Sequence, residues 1–160
     1  MDREYLSATL AEALGNEYGV VEAEHRLLND GKLEVGMKRQ LQDIHDEDEQ
    51  HVRNLETALD IIGRPENVDA KIQHGKETCL RMVHMGGDDP IDILRGTILA
   101  KYRSADAEET LYSVCDEIDR EGICELFETN LEEEEDHIDY LREQAIIMTR
   151  ERITGESATE

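Results

Sequence analysis

The 160-residue sequence predicts an all-α fold: an antiparallel four-helix bundle with one long crossover connection that contains a short helix. Three observations point there. Apolar residues recur at three- and four-residue steps over long segments, without the alternation of strands. Glycine and proline are absent between about residues 37 and 62 and between 97 and 121. Asn29-Asp30-Gly31, Gly63 with Pro65, and Gly86-Gly87 punctuate the chain, and 63–89 is its longest connection, 27 residues.

The first helix is expected over about residues 4–28, with Leu6, Leu10, Leu14, Val21 and Leu28 on one face and Asn29-Asp30-Gly31 ending it. The second covers about 33–62 on Met37, Leu41, Ile44, Leu55, Leu59 and Ile62, and Gly63 and Pro65 stop it. The connection holds a shorter helix, about 69–85, with Ile72, Cys79 and Val83 on one side and Gly86-Gly87 at its end. Asp89-Pro90 starts the next helix: Asp caps free amides and Pro suits the first helical position. That helix runs over about 90–118 on Leu94, Ile98, Ala105, Tyr112 and Ile118. Asp119 is expected to cap the last one, about 121–149, with Ile123, Phe127, Leu141, Ala145 and Met148 inward. The bundle thus occupies residues 1–149. The segment TRERITGESATE lacks an apolar stripe, and 150–160 is expected to be a flexible acidic tail. Helices of 25–30 residues are roughly 37–45 Å long, so the connection can run back along the bundle and leave the two hairpin turns at opposite ends.

Forty Asp and Glu face 17 Lys and Arg, a formal net charge of −23. Such a charge disfavours nucleic acid and anionic membranes as partners. No apolar run approaches the ~20 residues that span a bilayer, and MDREYLSATLAEAL does not read as a signal peptide. Cys79, Cys115 and Cys124 form no CxxC pair and make a poor disulfide framework, so buried thiols in a reducing cytoplasm are expected.

Each long apolar stripe is broken near its middle by acids or histidines. At ~100° per residue, Glu17 points with Leu10, Leu14 and Val21; Asp48 and His51 point with Ile44, Leu55 and Leu59; Glu134 and His137 point with Phe127, Leu141 and Ala145. On the third long helix the candidate is Glu108 or Glu109, with the stripe favouring Glu108. Counted from the turns, all four acids fall at mid-bundle. Facing carboxylates repel and are costly to bury. Lys101 is the one basic residue near these faces. Two divalent or trivalent cations would supply the missing charge, and mixed carboxylate and imidazole ligation suits iron or manganese. Residues 46–55, DEDEQHVRNL, and 132–141, EEEEDHIDYL, repeat the same order of acids, His and Leu at an offset of 86.

These motifs, with LGNEYGVVEAEH around Glu17, resemble the ferritin-like di-iron carboxylate superfamily, on its bacterioferritin and rubrerythrin side, over most of residues 5–148. Glu134-x-x-His137 matches that pattern in full; Asp48-x-x-His51 carries Asp where the family has Glu. The resemblance implies a ferritin-like bundle. Its two iron ions, or manganese, would be bound and bridged by Glu17, Asp48, Glu108 or Glu109, and Glu134, with His51 and His137 terminal. It further implies oxidation of Fe(II) by O₂ or H₂O₂, as a ferroxidase in iron detoxification or storage. A peroxidase like rubrerythrin but without its rubredoxin domain is the alternative, as is a non-catalytic acidic metal-binding module. An organic-substrate hydroxylase is a weaker third, since the short connectors leave little room for a large pocket. Glu49 stands where bacterioferritin carries its haem methionine, so no haem is expected.

Glu24, one heptad after Glu17, is expected to reach water near the bundle end, the alternative being an extra carboxylate near the site or on an iron path, and His25 is expected to lie on the surface. His45, His74 and His84 show no partner pattern. Tyr18, Tyr102 and Tyr112 are assigned to packing. Ala8, Ala11, Gly15 and Gly19 line the face opposite Glu17. Either the short helix covers them, or they form the contact of a homodimer or higher homo-oligomer.

Overall fold

The computed structural model describes residues 1–118 and 120–156, and among them there are helices and no strand. The elements are α1 (Arg3–Leu28), α2 (Val35–Ile62), α3 (Val68–Val83), α4 (Pro90–Val114), a 3-10 turn (Cys115–Ile118) and α5 (Ile123–Thr154). Two starts are fixed by side-chain caps: the Tyr5 amide donates to Asp2 Oδ1 and the Ile91 amide to Asp89 Oδ1, both at 3.0 Å. The expected cap Asp119 lies outside the described residues. Gly122, at φ 83°, stands at the N-terminus of α5.

Two expectations are corrected around α5. Cys115 and Cys124 are joined in a disulfide, nine residues apart, so only Cys79 is a free thiol among the described residues. The turn that ends α4 brings the two sulfurs together, which spacing alone does not reveal. The last helix also continues past residue 149 to Thr154. Its final turns are tied to the start of α4: Arg95 donates to Thr149 Oγ1 at 2.8 Å and Arg152 pairs with Asp89 at 3.2 Å.

Helix α1 packs against α2, α3 and α4, and α5 packs against α2 and α4. The apolar interior is divided. One cluster takes Val20 and Leu27, Leu41 and Ile44, Leu94 and Ile98, and Leu141. The other takes Leu10 and Leu14, Leu55 and Leu59, Leu111, and Phe127. The first thus joins the C-terminal halves of α1 and α5 to the N-terminal halves of α2 and α4. Helices α1 and α5 therefore run one way, and α2 and α4 the other.

The small-residue face of α1 is covered by α3. A Cβ on Gly15 would lie 2.0 Å from the Ile72 carbonyl oxygen, one on Gly75 2.3 Å from the Glu12 carbonyl, and one on Gly19 2.6 Å from Cys79 Cβ. Around Gly15 and Gly19 this face is closed within the chain by the short helix, the first of the two alternatives. Among the described residues, no helix is long and apolar enough to cross a membrane.

Candidate metal centre

Between the two apolar clusters lies a polar belt. Helix α1 contributes Glu17 and Glu24, α2 contributes Asp48 and His51, α4 contributes Lys101 and Glu108, and α5 contributes Glu134 and His137; all eight are buried. Ligand atoms of Glu17, Asp48, His51 and Glu134 all lie within 4.8 Å of one another. His51 Nδ1 is 3.1 Å from Asp48 Oδ1 and 3.2 Å from Glu134 Oε1, and its Nε2 is 3.1 Å from Glu133 Oε2 nearer the surface. His137 stacks on His51 with ring centres 5.8 Å apart. Its Nδ1 is 3.3 Å from Asp48 Oδ1 and its Nε2 2.7 Å from Glu47 Oε2.

The other expected ligands are placed differently. Of the two α4 candidates, Glu109 is exposed and Glu108 is buried. Yet Glu108 stands outside the group of four and accepts from Asn130 Nδ2 at 3.0 Å. His137 falls in a separate group with Glu47 and Glu133.

Sequence reasoning underrated three residues. Lys101 is fully buried, its Nζ 2.5 Å from Asp48 Oδ2, 3.2 Å from Glu134 Oε2 and 3.9 Å from Glu24 Oε2. Glu24 does not reach water: it is 0% exposed, with Oε1 3.5 Å from His45 Nδ1. His45 is buried too. The available signal was the heptad step, Glu24 after Glu17 and Lys101 before Glu108.

The electrostatics sort the acids into two kinds. Burial alone would raise the Asp48 carboxyl, but Lys101 and then His137 and His51 hold it well below the usual carboxylate range. Glu17 is raised well above that range, by burial first and then by Glu134 and Asp48. Burial raises Glu24 likewise, and Asp48 adds to it. Burial pushes Glu108 up to about 8, against the Asn130 hydrogen bond. Burial opposes charge on His51, but hydrogen bonds to Asp48 and Glu134 outweigh it and raise the imidazole to about 11. Lys101 is raised well above its ordinary value: Asp48, Glu134 and Glu24 overcome its burial.

Unsatisfied atoms in this donor set call for a proton or a cation. Both carboxylate oxygens of Glu17 are buried without a hydrogen-bond partner, whereas Asp48 Oδ1 faces His51 and His137 and Glu134 Oε2 faces Lys101. Such orphans are costly unless a proton or a cation meets them. Three carboxylates and one imidazole with ligand atoms within 4.8 Å of one another are a donor set that suits a divalent ion of borderline softness. Against protein-family models, curated proteins and solved structures alike, the chain finds no match.

Proposed function

We propose that this chain is a ferritin-like, non-haem metalloprotein whose substrate is Fe(II), oxidised by O₂ or H₂O₂ in iron detoxification or storage. On this reading α1, α2, α4 and α5 form the antiparallel bundle, and residues 63–89 are its crossover. The carrying observation is Glu17: a fully buried carboxylate with neither oxygen hydrogen-bonded, beside two more acids and an imidazole. Bound iron supplies one-electron redox chemistry; the side chains supply the rest. Lys101 keeps Asp48 anionic. Burial favours the protonated form of Glu17, and an ion held there would take the place of that proton. His51 and His137 stand between the buried acids and the surface carboxylates Glu133 and Glu47.

A second reading is supported by Lys101 itself. Burial favours the protonated forms of Glu17, Glu24 and Glu108, and the Lys101 ammonium already lies against Asp48 and Glu134, so positive charge meets the belt with no metal. The chain would then be a non-catalytic acidic module.

Anaerobic Fe(II) uptake followed by oxygen addition separates the two. The metalloprotein reading expects uptake and a rise in near-ultraviolet ferric absorbance, both reduced at least tenfold in Glu17→Gln. A wild-type chain that takes up no Fe(II) establishes the module instead.

A further inference from the structure

The chain is built on an internal near-repeat that extends past the two His motifs. Shifting α2 by 86 residues sets Leu41 on Phe127, Asp48 on Glu134, His51 on His137 and Leu55 on Leu141. Shifting α1 by 84 residues sets Leu10 on Leu94, Leu14 on Ile98, Glu24 on Glu108 and Leu27 on Leu111. Every one of these residues is buried. The shift also exchanges the two apolar clusters: Leu10 belongs to one and Leu94 to the other, and Leu27 and Leu111 are reversed. An approximate two-fold axis through the polar belt accounts for both shifts. The same 84-residue step carries Glu17 onto Lys101.

The contacts agree with that pairing. On α1 the side chain that meets Asp48 and Glu134 is Glu17, within the group of four. On α4 it is Lys101, at 2.5 and 3.2 Å from the same two acids. Glu24 and Glu108, the outer pair under the axis, both stay outside the group. A symmetric two-ion centre needs an acid on α4 opposite Glu17. Here that place holds a four-carbon stem ending in a fixed positive charge.

We infer that the centre takes one divalent cation, at Glu17, Asp48, His51 and Glu134, and that the Lys101 ammonium holds the place of a second. This rests on the metalloprotein reading and replaces the pair of ions that the resemblance implies. His51 faces Asp48 Oδ1 and Glu134 Oε1, while Lys101 faces Oδ2 and Oε2 of the same acids, so a second ion on the Lys101 side would have to displace the ammonium from a buried site. Glu108 lies outside the donor groups, and His137 groups instead with the partly exposed Glu47 and Glu133 toward the surface, away from the Lys101 side of the belt.

Mn(II) supplies the test, because it needs no oxidant to be seen. Purified metal-free chain is dialysed against Mn(II) without oxygen, and bound metal is measured together with its electron paramagnetic resonance spectrum. One Mn(II) per chain with the six-line pattern of an isolated ion is expected for wild type. Two per chain, with the broadened spectrum of a coupled pair, overturns the inference and leaves the metalloprotein reading standing. None overturns both. Lys101→Glu restores the acid that the symmetry calls for and is expected to bind two ions. If that variant keeps its helical circular dichroism and still binds one, exclusion by Lys101 is overturned. The wild-type ratio decides the matter even if the variant does not fold.

Discussion

Lys101 and Asp48 are 2.5 Å apart and 0% exposed, so each is held in its charged form by the other. Breaking such a pair from one side leaves uncompensated charge, which costs about 3–5 kcal/mol. Lys101→Met keeps most of the stem's volume and removes the ammonium. Metal-free Lys101→Met is therefore expected to lose stability of about that size, read as a lower urea midpoint at unchanged slope. A loss under about 1 kcal/mol would mean that Asp48 and Glu134 are satisfied without it. The inward phase of Glu17, Asp48, His51 and Glu134 was legible in the sequence, because an acid on an apolar stripe stands out. Lys101 was harder to read. Its long stem lies on the same stripe, and a lysine there is commonly a snorkelling one with its head in water. Only the surrounding acids, from three other helices, show that this head stays inside. Glu24 was misplaced for a related reason: one sequence shows that a residue faces inward, but not where along the axis water begins.

At the scale of the element, helix boundaries were readable from caps and breakers, and α1, α2 and α3 fall within one or two residues of their expected ranges. The end of α5 was not, because polar contacts with α4 rather than an apolar stripe extend it. The disulfide escaped notice because its geometry depends on a 3-10 turn between α4 and α5. The small face of α1 showed that some backbone comes close there, but not whose. The answer is α3, and the seam is tight from both sides: Gly15 against Ile72 and Gly75 against Glu12. A side chain at position 75 would push into the Glu12 carbonyl at 2.3 Å, a backbone atom that cannot rotate away. Gly75→Val is thus expected to be destabilised by at least about 3 kcal/mol, beyond the usual cost of overpacking. Gly36→Val serves as the control, since its nearest neighbour is the flexible end of Glu34 at 3.4 Å. Equal urea midpoints for the two variants would show that α3 does not bear on α1 in solution.

For the whole molecule, the belt that divides the core makes stability depend on protons. Glu17, Glu24 and Glu108 all bind their proton more tightly folded than unfolded, Glu108 with its value moved from 4.5 to about 8. Their contribution is complete below the ordinary carboxylate range and is lost as pH rises through the folded values. His51, raised from 6.5 to about 11, acts in the same direction above neutrality. Asp48 is depressed, so its contribution is present above 3.8 and fades only when pH falls through its lower folded value. Between about pH 5 and 8 the folded chain therefore holds more protons than the unfolded one, and stability falls with rising pH. In chelator, the thermal midpoint is expected to drop steadily across that window. Glu108→Gln, whose amide cannot lose the proton, should flatten the upper part of the drop. Saturating Mn(II) should reverse the trend, because its ligands must shed their protons to bind it. A midpoint in chelator that is level or climbs from pH 5 to 8 would show that these carboxyls are ionised inside the folded chain, and that something other than protons neutralises the belt.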